Sequence, residues 1–388
     1  MPNNRRTFVH LAVMAAAAAP LSLTGLPPAL AAPVPEPRPD PRQTTPAGVG
    51  IPGPGSPGSL TSGNSRGLYV GHWDSGAYST TGFLWRDGTV HVLNGSTEPK
   101  AVTEDGLVIG DFVSHYDRQA FRLEHGTSQP QGLGYLGGTH TAGGYSSAAV
   151  AVNRAGVIVG TSTTNAGTFH AFRWADNHLQ DLGTLGGPSS SAVAVTSAGA
   201  IAGSSNTAAG PSHAFRWWRG TLHDLGTLGG PSSTAVAAND AGQIVGYSDT
   251  ADGHTHAFLW ERGRLIDLGT PPGDTESWAI GINNAGQVLV LSRGSSNHAF
   301  VWWHGQRATI SVPSGDFGVT AINDRGTVAG TANGHAFRWR DGRFTDLGTL
   351  GGPYSDANAI TPADVVLGSS DPADSPIPLA TFWPAPGR

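Results

Sequence analysis

The sequence predicts an all-β chain folded as a β-propeller of four-stranded blades, seven or eight in number with eight favoured, and three observations carry that reading. The pentapeptide H-A-F-R-W at 170–174 returns at 213–217 and 335–339, and as H-A-F-L-W and H-A-F-V-W from His256 and His298, at spacings of 43, 43, 42 and 37 residues. A fixed period of that size marks a propeller or a solenoid. Degenerate copies from Thr81, Gln119 and Leu379 bring the motif to eight. Each period divides into four short apolar runs separated by turn residues, which is the blade pattern. Finally, 56 glycines and 28 prolines against 13% charged residues suit many short strands joined by tight turns.

Taken in order, the chain opens at 1–32 with a twin-arginine-type signal: Arg5-Arg6-Thr7-Phe8, an alanine-rich apolar stretch and a small-residue cleavage site at Ala29-Leu30-Ala31. Residues 33–65 are rich in Pro, Gly and Ser and read as a disordered spacer, because such a composition buries too little apolar surface to offset chain entropy. Residues 66–388 are the repeat domain. In the unit from His213, strands are expected at 213–217, 222–225, 234–238 and 243–248. Arg219-Gly220 turns the first pair, and Asn239 to Gly242 turns the last, with Asn first and Gly fourth as a type I turn prefers. Strand alternation puts Phe215 and Trp217 on one face and Ala214 and Arg216 on the other, both buried between blades. The Arg216 position becomes Leu259 and Val301 elsewhere, as an arginine stem packing on apolar surface allows. A glycine recurs inside one strand at 160, 203, 246 and 330, where a close backbone approach is expected. Two of the four strand motifs are found eight times and two only seven times, so the seam between the termini is expected to hold incomplete blades. A stacked solenoid would need polar end caps, and neither end carries one.

The combination of H-A-F-x-W, then D-L-G-T-L-G-G at 181–187, 224–230 and 346–352, then N-x-x-G-x-I-V-G at 239–246, resembles the extracellular proteins with HAF repeats. The resemblance spans roughly 67–383 and implies secretion and a repeat architecture. It implies no activity and no catalytic residues.

Several function classes are excluded by composition. A net charge of −6 and a single lysine, Lys100, leave no basic patch to follow phosphates, so nucleic acid is not expected as a partner. There is no cysteine, hence no disulfide, thiolate metal site or cysteine nucleophile. No run after the signal is long enough to span a bilayer, so the mature chain is expected to be extracellular, uninserted in the membrane and monomeric, with no cofactor. The repeated histidines (170, 213, 256, 298, 335) and aspartates (181, 224, 267, 346) fall once per unit around a ring. They are expected to satisfy backbone groups in their own blades rather than to converge on a metal or a reaction. No D-x-D-x-D-G calcium loop is present.

Binding residues are sought where a repeat breaks its own rule. In the unit from His256, T-L-G-G-P-S-S becomes Thr270-Pro271-Pro272-Gly273-Asp274-Thr275-Glu276, and Trp278 stands where other units have Ser191, Thr234 and Asp356. Asp274, Glu276 and Trp278 are therefore the candidate binding set. Trp218 and Trp303, each following a buried tryptophan, are candidate aromatic platforms. An insertion across 129–145, with Tyr135 and His140, is expected to project from one face. The resulting reading is a secreted, non-enzymatic binding or scaffold module that recognises an extracellular polysaccharide or protein through loops on one face. The alternative is a secreted carbohydrate-active or other hydrolase with its site in the propeller centre, which would need unlike, unrepeated acidic residues at the ring centre.

Overall fold

Thirty-two strands form eight antiparallel sheets of four in the computed structural model, which describes residues 47–76, 79–114, 117–137, 146–313 and 315–386. The expected signal, the spacer as far as residue 46, and His140 lie outside the described residues. The sheets are blades I to VIII in chain order. Their first strands touch one another in turn from I to VIII and back to I, so these are the inner strands of a closed ring.

Blade IV shows how a unit is built. Its inner strand β14 (Gly186–Val195) is followed outward by β15 (Ile201–Thr207), β16 (Ser212–Trp218) and β17 (Thr221–Asp224). The H-A-F-R-W motif is thus the third strand of a blade, and the sequence period runs across a blade boundary. Arg219 and Gly220 both take positive φ, 50° and 88°, as the type I′ turn of a two-residue hairpin demands. The inner strand starts earlier than expected: in blade V, β18 (Gly229–Ala238) takes in residues first assigned to the connection, pairing Gly229 with Thr250 before a register shift.

Each blade interface has its own core cluster, and the H-A-F motif supplies half of two of them. Phe215 and Trp217 pack onto Ala171, Ala151 and Val159 of blade III. Ala214, on the other side of the strand, receives Phe258 of blade V. Small Ala and large Phe are thus opposite halves of successive interfaces, and all these side chains are at most 8% exposed. The strand glycine is forced by its own blade rather than by the convergence of blades. A Cβ at Gly203 would lie 2.1 Å from the Ser191 carbonyl oxygen, beside the inner-strand bulge, and 2.5 Å from the Phe215 ring.

Polar links join neighbouring blades at two levels. Asn153, Asn239, Asn283 and Asn323 each donate through Nδ2 to the backbone carbonyl of the equivalent turn in the next blade, at 2.9 to 3.0 Å, while their Oδ1 atoms cap their own turns. In blades IV, V, VI and VIII the serine opening the buried part of the inner strand accepts the Ala N–H of the preceding H-A-F: Ser190 from Ala171, Ser233 from Ala214, Ser277 from Ala257, Ser355 from Ala336. These bonds explain why Asn and Ser recur with Phe at a fixed period.

The seam is complete. Blade VIII consists of β30 (Gly351–Ile360), β31 (Val366–Pro372), β32 (Leu379–Trp383) and, outermost, β1 (Val49–Ile51), paired antiparallel to β32. The inner strand of blade I is β2 (Gly58–Gly63). The two strands missing from the sequence count therefore both come from the stretch expected to be spacer, and the ring begins before residue 66. Of its apolar residues, Ile51 and Leu60 are 1% and 0% exposed, while Val49 is 41% exposed. Its glycines serve close packing: a Cβ at Gly53 or Gly58 would come within 3 Å of the Trp73 indole.

Candidate functional site

The two ends of every blade differ. Turns after the inner strand and after the third strand lie at one end, here the Asn face. The start of the inner strand, the H-A-F histidine and the D-L-G connection lie at the other, the His face.

On the His face the repeated histidines and aspartates are clasps. The Nδ1 atoms of His170, His213, His256 and His335 lie 2.8 to 3.1 Å from Asp181, Asp224, Asp267 and Asp346. Each of these aspartates also accepts the N–H of the glycine two residues on, closing the turn after the outer strand. Every pair is complete within its own blade, and among the described residues no group of three His, Asp or Glu is placed to hold a metal.

Blade VI, with β22 (Glu276–Ile282), β23 (Val288–Arg293), β24 (Asn297–Trp303) and β25 (Gln306–Thr309), departs from this scheme. Thr309 pairs with Phe300 where blade IV pairs Asp224 with Phe215, so His298 lacks an aspartate in its own outer strand. Asp274 replaces it, with Nδ1 at 2.9 Å, and also accepts from Ser292 Oγ at 2.6 Å. Its side chain is 1% exposed. The carboxylate expected to bind ligand is thus the relocated half of a clasp, for a physical reason: the divergent loop compensates for the missing outer-strand acid. Glu276 and Trp278 lie at the His-face end of β22, both half-buried, with the Arg293 guanidinium 5.5 Å from the Trp278 ring centroid.

Trp218 and Trp303 lie at the opposite end, on the Asn face, and do not join that set. Arg216 and Arg219 sit 5.0 and 5.2 Å from the Trp218 centroid, and Trp303 Nε1 donates to Ala285 O at 3.1 Å. Both indoles are engaged by their own blades.

The convergence of unlike charged groups occurs instead in blade II, made of β6 (Thr97–Val102), β7 (Val108–Val113), β8 (Arg118–Leu123) and the two-residue β9 (Gln131–Gly132). Asp111, 0% exposed, receives Arg118 Nη1 at 3.0 Å and the Lys100 ammonium on one oxygen, and Ala149 N–H of blade III at 2.9 Å on the other. Arg118 Nη2 reaches Glu98 at 2.7 Å. Burial pushes the Asp111 carboxyl up, against the pull of Lys100, Arg118 and the Ala149 amide. A cleft of about 540 Å³ opens beside this cluster on the His face, between blades I and II, lined by Asp74, Thr80, Glu98, Val113 and Arg118. The described ends of the insertion after β9 lie on the same side: Ser146 bridges to Arg118, and Tyr135 lies near enough to Asp117 to feel its charge. Chemically the cluster offers fixed donors and acceptors in pairs. Its two inner carboxylates are held by cations, which suits recognition of hydroxyl or amide groups better than proton transfer.

Register exposes what the motif search missed. Glu98 pairs with Asp111 as Ser191 pairs with Ser204 and Trp278 with Leu291. Asp111 therefore stands immediately after the strand glycine, where other repeats have Thr161, Ser204 or Thr331. The acid at that place, beside the chain's single lysine, was the available signal.

No family model and no curated protein matches the chain. Among solved structures it is similar to a puromycin hydrolase (13% identity, 81% of this chain and 58% of that one, TM-score 0.53) and to a Mycobacterium tuberculosis puromycin-hydrolyzing peptidase (14%, 84% and 61%, TM-score 0.54). It is also similar to the β-propeller domain of the Trilobed protease from Pyrococcus furiosus (11%, 76% and 100%, TM-score 0.52), described as having an open velcro topology. The chain spans less than two thirds of the length of the first two and the whole of the third. At these identities the likeness is one of fold. The fold and the site together define an eight-bladed β-propeller whose ring is closed by an N-terminal strand, with an unrepeated charge cluster in blade II beside a cleft.

Proposed function

We propose that this chain is a secreted binding module of the HAF-repeat kind, exported through the twin-arginine route, which takes an extracellular polysaccharide or protein at the blade II cleft on its His face. The observation that carries the reading is the Glu98, Lys100, Asp111 and Arg118 cluster beside the cleft. The fold has no use for its charges, because a serine or threonine makes the same bond between other blades: Ser204 Oγ accepts Ala235 N–H, and Thr331 Oγ1 accepts Ala357 N–H. The hydrolase alternative draws support from the propeller-containing peptidases to which the chain is similar. Against it stands the pairing of the inner carboxylates with Lys100 and Arg118.

The test incubates the exported chain with insoluble cell-wall and plant polysaccharides and scores both retention and released sugar. Retention without release, weakened at least tenfold by Glu98→Gln or Arg118→Ala, is the expected result. Released sugar would replace the binding reading with the hydrolytic one.

A further inference from the structure

We propose that the central channel, near its His-face mouth, holds a neutral glycan chain that runs from Glu98 at the blade II cleft to Trp278 on the opposite wall, with Asp356 as a second acceptor. The proposal rests on the binding reading above and names the ligand class and path for that site.

Register places the three residues at one level. Glu98, Trp278 and Asp356 pair with Asp111, Leu291 and Ser369, in each case the residue one step beyond the strand-glycine position of the second strand. At the same level blades I, III, IV, V and VII carry Ser59, Ala148, Ser191, Thr234 and Gly318. Asp356 is exposed and the other seven are partly exposed, while the next residue of each strand is buried between blades, so this set borders the channel. Five small residues leave room there, and three large ones interrupt them. In a ring of eight, blades II and VI stand opposite each other, so Glu98 and Trp278 face across the opening.

The two walls differ in character. One level deeper, blades II and VIII present Lys100 and Asn358, while blades IV and VI present Val193 and Ile280. A sugar chain has the matching form: hydroxyl rims for acceptors and donors, and apolar ring faces that stack on indole. Glu98 already holds Arg118, so the wall does not require a cation as ligand. Desolvation, then the charge of Asp371, push the Asp356 carboxyl up against the opposing hydrogen bond from Thr331, which favours a neutral partner over an anionic one.

The experiment titrates the exported chain with soluble gluco- and chito-oligosaccharides of one to eight units, following tryptophan fluorescence and calorimetric heat, alongside Trp278→Ala, Asp356→Asn and Glu98→Gln variants of matched melting temperature. The expected result is affinity that rises with chain length, with Trp278→Ala and Asp356→Asn each lowering affinity for the longest oligomers at least tenfold and leaving monosaccharide binding unchanged. If Glu98→Gln abolishes binding while Trp278→Ala and Asp356→Asn bind every length like the parent, the channel path is wrong and the blade II reading stands. If the parent binds no oligosaccharide in the panel, the glycan proposal falls, and polymer or protein retention in the pull-down decides the blade II reading separately.

Discussion

Blades II and IV occupy equivalent places in the ring and are built from the same four strands, yet they differ in what their shared positions carry. Both stack a phenylalanine on a strand glycine: Phe121 on Gly110, Phe215 on Gly203. Both send a side chain from the second strand to the inner strand of the next blade. In blade IV that side chain is Ser204, 3.1 Å from Ala235 N; in blade II it is Asp111, 2.9 Å from Ala149 N. The hydroxyl makes the bond with no further consequence. The carboxylate makes the same bond but brings a buried charge, which Lys100 and Arg118 then neutralise, and the cleft lies beside them. A repeat protein thereby separates its two obligations: what every blade shares closes the ring, and what one blade alone has calls for another explanation.

That contrast supposes a closed ring, and the largest expected effect comes from opening it. Removing residues 1–65 deletes β1 and β2 together, leaving β32 without its outer neighbour and blade I without an inner strand. Two unpaired strand edges and the exposed side of the Ile51, Leu60 and Phe83 cluster result. Such a chain is expected to lose cooperative thermal unfolding in far-ultraviolet circular dichroism, whereas one begun at residue 47 keeps it. Matching melts for the two would mean that the N-terminal strand does not close the ring.

The next effect distinguishes the blades directly. Asp111→Ala removes one partner of a buried ion cluster and is expected to cost about 3 to 5 kcal/mol. Ser204→Ala, at the same place in blade IV, removes one neutral hydrogen bond worth about 1 kcal/mol. Urea unfolding of the two variants measures the difference. The sharper form is the double variant Asp111→Ser with Lys100→Met, which gives blade II the arrangement of blade IV. Its stability is expected to recover most of the loss while polysaccharide retention does not return. Recovery of both would make the charged cluster a purely structural device.

How much of this was legible in the sequence follows from the same division. Phe215, Gly203, Asn239 and Ser233 act within one blade or across one interface, so each leaves a trace at every period, and the eight blades followed from those traces. The closing strands did not announce themselves, because Val49 to Ile51 pair with residues some three hundred positions away, and the stretch that holds both strands carries glycine where an indole must pass. Asp274 looked like a surface acid because it sits in a proline- and glycine-rich loop; only the pairing of Thr309 with Phe300 reveals that His298 needed it. Glu98, Asp111 and Arg118 lie on three strands of one blade, up to 20 residues apart, and converge through antiparallel pairing that a linear motif search does not read.

The smallest effect concerns pH and compares Asp111 with Asp364, two carboxylates that each bridge a pair of blades. Asp364 lies in the turn before β31, at φ 67°, and accepts from Asn323, Thr327 and Arg325 of blade VII at 2.7 to 2.9 Å. Arg340 stands 3.7 Å away. Burial pushes its carboxyl up, but the hydrogen bonds from Asn323, Thr327 and Arg325, with the charge of Arg325, outweigh burial and hold it below its ordinary value of 3.8. The unfolded chain then binds this proton more readily than the folded one, so Asp364 contributes stability that is complete above about pH 4 and is lost as pH falls through its folded value. Asp111 has the opposite sign. Its carboxyl is raised, the folded chain holds the proton more tightly, and stability is withdrawn as pH climbs from 3.8 through the raised value. Asp364→Asn, which tolerates the positive φ, is therefore expected to lower the urea midpoint at neutral pH and to flatten its decline below pH 4 relative to the parent. Asp111→Asn is expected to lose most at the acid end and least toward neutral pH. Parallel midpoint curves for the parent and both variants from pH 3 to 7 would show that neither carboxylate's ionisation is coupled to folding.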